Sequence, residues 1–322
     1  MPLAFFPAAL AAWRASHTDR STAMAPAPDA VVKLSIKVIA GGRSAETLGA
    51  EREGTGIVIA AGGVILTIGY LLLEAASVLV MTHDGRVYPG VVAGFDHASG
   101  FGLVRAPGLR AAPVPLGDGD LRELNRVAVV THPAAGGVSE AAVVSRRRFV
   151  GWWEYLVDGA IFTAPQRGDH SGAGLFDEDG RLVGIGSLWV GDALDLGVAF
   201  PGNMFVPVEL LLPILDDLLA TGRRRGPQRP WLGVYTEQQD GQVLVSRVLP
   251  DSPAAGCGLE QGDVILGVDG RSVGGQAEFY EALWSHGAAG AALSLHVLHE
   301  RKVKELLAQP MDRLEYFRPW TY

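Results

Sequence analysis

This sequence predicts a mainly β protein with a smaller mixed α/β unit behind it, on three observations. Short apolar runs of strand length, divided by Gly and Asp turns, fill residues 31 to about 200, the pattern of an antiparallel barrel or sandwich. A basic, Pro-containing break follows at Arg223 to Pro230. Beyond it the order becomes strand, turn, strand, one short helix and a last strand. With 322 residues, 48% of them hydrophobic and 19% charged, the chain can build two or three domains with their own cores. Its 42 glycines suit short strands and many turns.

The elements follow in order. Residues 31–38 alternate apolar and polar, as a half-buried strand does. Gly54-Thr55-Gly56-Ile57-Val58-Ile59 runs into the turn Ala61-Gly62-Gly63, and Val64-Ile65-Leu66-Thr67 leads out of it. Residues 78–81 turn at His83-Asp84-Gly85 into 86–88, and 91–95 follow. A second set of strands runs from Arg126-Val127-Ala128-Val129-Val130 to about Phe200. Over Val206 to Ala220 the spacing of Leu210, Leu211, Ile214, Leu215 and Leu218 predicts a helix, stopped by Gly222. Past the break come a strand at 243–245, a helix near 277–284 and a final strand near 293–298.

Charge and composition exclude several classes. A net charge of −8 argues against a general nucleic-acid surface, and Arg146-Arg147-Arg148 and Arg223-Arg224-Arg225 read as solvated loops. The single cysteine, Cys257, rules out an internal disulfide. No run approaches a membrane span, no cluster has metal-ligand spacing, and no cofactor is expected. The first thirty residues read as an arm or docking segment, with a degenerate signal peptide ending near Ala23-Met24-Ala25 as the alternative: no Lys or Arg precedes the apolar run, and Pro2 and Pro7 interrupt it. That start favours the cytoplasm weakly and leaves the periplasm open. Aromatics near both ends (Phe5, Phe6, Trp13; Tyr316, Phe317, Trp320, Tyr322) could serve as docking surfaces.

One stretch carries chemistry. Asp169-His170-Ser171-Gly172-Ala173-Gly174-Leu175 sets a serine among small residues before a turn and a strand. Backbone amides around such a serine can converge into an oxyanion hole. A Gly-Ser loop at a turn can equally be a turn and nothing more. Neighbouring His170 points to the opposite face in an extended segment, so it is an awkward base for Ser171. One inserted residue would instead match Gly168-Asp169 to a trypsin-type Gly-Asp and leave His170 as a bulge. His97 and His132 read as surface or turn residues.

In the last part, Ser252-Pro253-Ala254-Ala255-Gly256, then Gly262-Asp263-Val264-Ile265 and Asp269-Gly270, come in the order of a PDZ domain of the bacterial protease type. Such domains add an extended peptide as a strand and take its terminal carboxylate in backbone amides, here expected at Trp231-Leu232-Gly233-Val234. With Ile65-Leu66-Thr67, Leu116-Gly117-Asp118 and residues 197–203, the chain from about Gly54 to Ala308 resembles the HtrA (Deg) serine proteases. The resemblance implies a chymotrypsin/trypsin-like double β-barrel followed by a PDZ domain. The expected organisation is an arm (1–30), the double barrel (31–222), a linker (223–229), the PDZ domain (230–308) and a tail (309–322).

The resemblance breaks at the catalytic positions. Where the family has its general-base histidine this chain has Tyr70, and where it has the orienting aspartate this chain has Gly100. Ser171 stands at the nucleophile, while Asp169 replaces a glycine of the oxyanion region and His170 follows it. A serine hydroxyl needs an adjacent base, and a tyrosine with a pKa near 10 is a poor one. Losing the base alone costs on the order of a million-fold in turnover. The expectation is an HtrA-like protein without triad hydrolysis that binds a peptide or protein C-terminus, in a larger complex or a homo-oligomer. The alternative is a serine endopeptidase using Ser171 with a non-standard base.

Overall fold

The computed structural model describes residues 24–118 and 121–317. Its contacts divide the chain into two units. The first holds the described residues through Arg147 together with Gly159–Arg224; the second holds Arg148–Asp158 and the described residues from Arg225 onward.

The first unit contains two closed barrels. Strands β1 (Val31–Val38), β2 (Glu51–Ala60), β3 (Val64–Ile68), β4 (Ala75–Met81), β5 (Val87–Phe95) and β6 (Phe101–Arg105) close the first in the order β1-β2-β3-β6-β5-β4. A short helix α1 (Ala45–Leu48) interrupts it. In β1 the expected alternation appears as burial of Leu34 and Ile36 while Lys33 and Ser35 stay accessible. Strands β7 (Arg126–Val130), β8 (Val138–Gly151), β9 (Tyr155–Ala164), β10 (Gly174–Phe176), β11 (Leu182–Val190) and β12 (Gly202–Pro207) close the second as β10-β11-β12-β9-β8-β7. Val127, Val129, Val143, Ile161, Leu175 and Phe205 meet in its core.

Three expectations change here. The helix expected over Val206 to Ala220 is only α2 (Leu215–Thr221), reached through two 3₁₀ turns. Val206 and Pro207 are claimed by pairing with Ile185 and Gly184, and Pro213 has no amide for a helical ladder. Gly222 does end α2, with φ +76 and its amide bonded to the Leu218 carbonyl. Secondly, Arg146 and Arg147 lie on β8 rather than in a solvated loop. Arg146 pairs with Glu209, and the Arg147 guanidinium sits 3.6 Å from the Phe162 ring centre. Arg224 is held as well, by Asp96. Thirdly, His132 keeps the expected place at a turn, capping Pro133–Ala135, but it is buried rather than on the surface, and its Nδ1 accepts from the Ala134 amide.

In the second unit come β13 (Pro230–Trp231), β14 (Val234–Gln239), β15 (Gln242–Val248), α3 (Pro253–Gly256), β16 (Val264–Val268), β17 (Arg271–Ser272), α4 (Gln276–Ser285), β18 (Leu293–His299), β19 (Lys302–Ala308), β20 (Met311–Asp312) and α5 (Arg313–Tyr316). The sheet runs β14-β15-β16-β18-β19, with β17 on β16 and β14 at an edge. Ser252 caps α3, accepting from the Ala255 amide. Phe279, Tyr280 and Leu283 on α4 pack into the core with Leu232, Val234, Ile265 and Leu295. β19 lies beyond the strand expected to be last. Its Lys-Val-Lys-Glu start is exposed and gives no apolar rhythm to read. The expected tail is built in as far as Phe317: β20 pairs with β13, and the Tyr316 ring lies 4.8 Å from Trp231. Most of the expected arm, with Phe5, Phe6 and Trp13, lies outside the described residues, as do Trp320 and Tyr322.

Candidate functional site

Ser171 sits in the loop between β9 and β10, against the first barrel. Its carbonyl accepts from the Thr55 amide at 2.9 Å, and the Gly172 amide donates to Gly186 at 2.9 Å. Gly172 has φ +75, and a Cβ there would lie 2.0 Å from the Thr55 carbonyl oxygen, so only glycine lets the loop seat this way. Tyr70 follows β3 in a 3₁₀ turn whose carbonyls at Tyr70 and Leu73 are gripped by buried Arg52.

These two segments bring Tyr70 Oη within 2.8 Å of Ser171 Oγ and 2.9 Å of the Ser187 carbonyl. One hydroxyl proton serves one acceptor at a time. When Tyr70 donates to Ser187, the Ser171 hydroxyl can donate to Tyr70. Burial pushes the Tyr70 hydroxyl up to about 12, against the opposing hydrogen bond to Ser171. A phenol held neutral takes no proton from serine at neutral pH.

The other expected positions are occupied by structure. Gly100 has φ +83 and accepts from the Gly69 amide through its carbonyl at 2.7 Å. Asp96, four residues earlier, is buried and serves its own loop, accepting from the Ser99 amide and hydroxyl and from Arg224. Asp169 does not aim its charge at Ser171. Its carboxylate takes Arg167 and Thr131, and also the Asp169 amide itself. Burial raises its pKa, but Arg167 and Thr131 outweigh that and hold it below the usual range. His170 Nδ1 lies 3.1 Å from the Arg167 carbonyl, and burial holds its pKa below the ordinary value, which keeps the ring neutral. Sequence reasoning missed Arg167, Thr131 and the Ser187 carbonyl. Among the described residues no group of three or more His, Cys, Asp or Glu is placed to hold a metal. No described helix is long and apolar enough to cross a membrane.

The second candidate site lies in the second unit. The amides of Leu232, Gly233 and Val234 converge on one point, with Gly233 at φ +86. At that point stands the carboxylate of Glu154. Trp231, expected beside them, instead pairs with Met311 and packs on Tyr316. The amides that meet the Glu154 carboxylate are those of Leu232, Gly233 and Val234.

Comparison with known proteins fits this architecture. Residues 54–185 match the trypsin-like peptidase domain and residues 230–308 the PDZ domain. A probable periplasmic serine endoprotease DegP-like protein of Pseudomonas fulva (strain 12-X) is 28% identical over 249 residues, 72% of this chain and 50% of its own length. The putative serine protease HhoA of Synechocystis sp. (strain ATCC 27184 / PCC 6803 / Kazusa) is 26% identical over 292 residues, 80% of this chain and 70% of its own. The HtrA-type protease AlgW with decapeptide shares the fold at a TM-score of 0.55 and 20% identity, covering 93% of this chain and 98% of that one. A serine endoprotease from Yersinia pestis gives 0.56 and 19%, covering 92% and 99%. The chain is an HtrA-like protein. It spans about half the length of these DegP-like relatives. Its trypsin-like part carries Ser171 on the loop before β10, and its PDZ part carries the amide nest before β14.

Proposed function

We propose that this HtrA-like protein binds polypeptide without hydrolysing it through a triad. The observation that carries the reading is Tyr70 Oη on Ser171 Oγ, a neutral hydroxyl where a base is required. Binding would fall to the PDZ domain, whose amide nest suits a terminal carboxylate. The relatives are named periplasmic endoproteases; no comparison speaks for the cytoplasm, and we place the protein's action in the periplasm. A second reading, a serine endopeptidase using Ser171 with a non-standard base, is favoured by those names and by the seating of Ser171. Fluorophosphonate labelling and casein hydrolysis by the purified chain, beside Ser171→Ala, decide between them. Absence of both in the parent supports binding alone. Labelling and hydrolysis that vanish with Ser171→Ala establish the peptidase and make His170 the next residue to change.

A further inference from the structure

The amide nest of the second unit is filled from within the same unit. At the turn between β8 and β9, Glu154 is fully buried. Its Oε1 accepts from the Gly233 amide at 2.7 Å and the Val234 amide at 3.0 Å, and its Oε2 from the Leu232 amide at 2.9 Å. A carboxylate taking three backbone amides is how such a nest holds the end of a peptide.

The neighbours extend the likeness. Trp152 accepts through its carbonyl from the Thr236 amide at 2.8 Å. Glu154 meets Val234 and Trp152 meets Thr236, so two residues back on the hairpin correspond to two residues on along β14. That is the register of an antiparallel strand added to the open edge of β14, whose other edge is taken by β15. Tyr280 on α4 donates to the Gly151 carbonyl at 2.9 Å, closing the groove from its helical side. Leu156 is 7% exposed and joins the apolar cluster of Leu232, Val234 and Leu283. The stacked rings of Trp153 and Tyr155, 5.7 Å apart, brace the turn. Glu154 itself has φ +55, a left-handed conformation that a plain turn would give to glycine, asparagine or aspartate.

We propose that the hairpin Arg148–Asp158 is a built-in ligand of the PDZ domain, with the Glu154 carboxylate standing for a peptide's C-terminus, so that a free C-terminus enters the groove only by displacing the hairpin. The part concerning free peptides rests on the peptide-binding reading above. A tethered occupant acts at an effective concentration on the order of millimolar, enough to mask micromolar peptides.

The test uses the whole chain, its Glu154→Gly and Glu154→Gln variants, and two readouts. Glycine suits φ +55 better than glutamate, so a mere turn role predicts an unchanged or firmer nest in Glu154→Gly. Glu154→Gln keeps the side-chain volume and serves if the glycine variant does not fold. Hydrogen exchange at the amides of Leu232, Gly233, Val234 and Thr236 should quicken by roughly ten- to a hundredfold in the variants, the scale of losing charge-assisted hydrogen bonds. Equal protection in parent and variants overturns the proposal. The second readout is binding of a fluorescein-labelled decapeptide ending in a free leucine carboxylate, beside its C-terminal amide. Tighter binding to the variants by about tenfold or more, lost on amidation, supports displacement. Equal, carboxylate-dependent affinity for parent and variants overturns the built-in ligand and leaves the peptide-binding reading standing. No binding to any form, with the nest amides exposed only in the variants, supports the hairpin's occupancy and counts against the peptide-binding reading instead.

Discussion

The Ser171 loop and the amide nest both present polar groups, and in both a side chain of the same unit meets them. At Ser171 the visitor is Tyr70, a neutral hydroxyl within 2.8 Å of a neutral hydroxyl. At the nest it is Glu154, a carboxylate complementary in charge and geometry to three amides. The first contact joins two neutral hydroxyls. The second, on our proposal, stands in for a ligand. A pattern of backbone donors can be satisfied by one carboxylate from inside the chain, whereas a serine hydroxyl acts only with a base in hydrogen-bond reach.

The comparison would sharpen most at Glu154. Replacing it by glycine leaves three buried amides without their acceptor, a loss of about 2–4 kcal/mol even after the relief of a left-handed glutamate. Tyr70→Phe should cost much less. Denaturant unfolding of both variants measures the contrast, and a Glu154→Gly protein as stable as its parent would break it.

A pH dependence follows next in size. Burial pushes the Glu154 carboxyl up from its ordinary 4.5 to about 7, against the three amides and Arg313 on α5; Tyr280 faces it from α4. A carboxyl raised in the folded state gives its full stabilisation below pH 4.5 and loses it as pH climbs through 7, on the order of 3 kcal/mol at most. Asp169 runs the other way, because Arg167 holds its carboxyl below the ordinary range and protects the loop until acid is reached. Between pH 5 and 8 the second unit of the parent should therefore weaken as pH rises, while Glu154→Gln, which does not titrate there, stays flat. Thermal melts of both proteins across that range give the answer.

Much of this was legible in the sequence, for physical reasons that differ from place to place. Barrel strands announce themselves through alternation and glycine turns, as at β1 and β2, and the resemblance to PDZ domains places the nest at Trp231-Leu232-Gly233-Val234, where Gly233 takes φ +86. Tyr70 and Gly100 could be assigned from the family resemblance, counted from Ile65-Leu66-Thr67 and from the run that starts at Asp96. The occupant of the nest could not: Glu154 and Leu232 are 78 residues apart, and nothing local records their meeting. One trace was available in hindsight. Trp152-Trp153-Glu154-Tyr155 is a hairpin turn without Gly, Asn or Asp, so something other than turn chemistry holds it. Val206 misled for the opposite reason, since its apolar spacing suits a helix until pairing with Ile185 claims it for a strand.

At the Ser171 site the expected effects are smaller. Tyr70→Phe removes the hydroxyl shared by Ser171 Oγ and the buried Ser187 carbonyl, at about 1 kcal/mol. Restoring the family's residues tests how far the frame alone reaches. In Tyr70→His with Gly100→Asp, the new aspartate must adopt φ +83, which side chains tolerate poorly. Its neighbour Gly69 is so tightly packed that a Cβ there would come 2.2 Å from the Phe95 ring. The double variant should leave casein hydrolysis at background, and a burst of activity would show that the rest of the site had been kept in working order.

The smallest effect belongs to Ser171→Ala. If Ser171 has no base, removing its hydroxyl should change peptide hydrolysis by less than about twofold, against the million-fold expected where a serine works with a base. Stability should move by no more than about 0.5–1.5 kcal/mol, the worth of one neutral hydrogen bond to Tyr70. Paired with Tyr70→Phe in a double-mutant cycle, the coupling should be similarly small. A coupling of several kcal/mol, or a steep loss of hydrolysis, would mean that the Tyr70–Ser171 contact is catalytic machinery, and the two sites would then differ in kind as well as in charge.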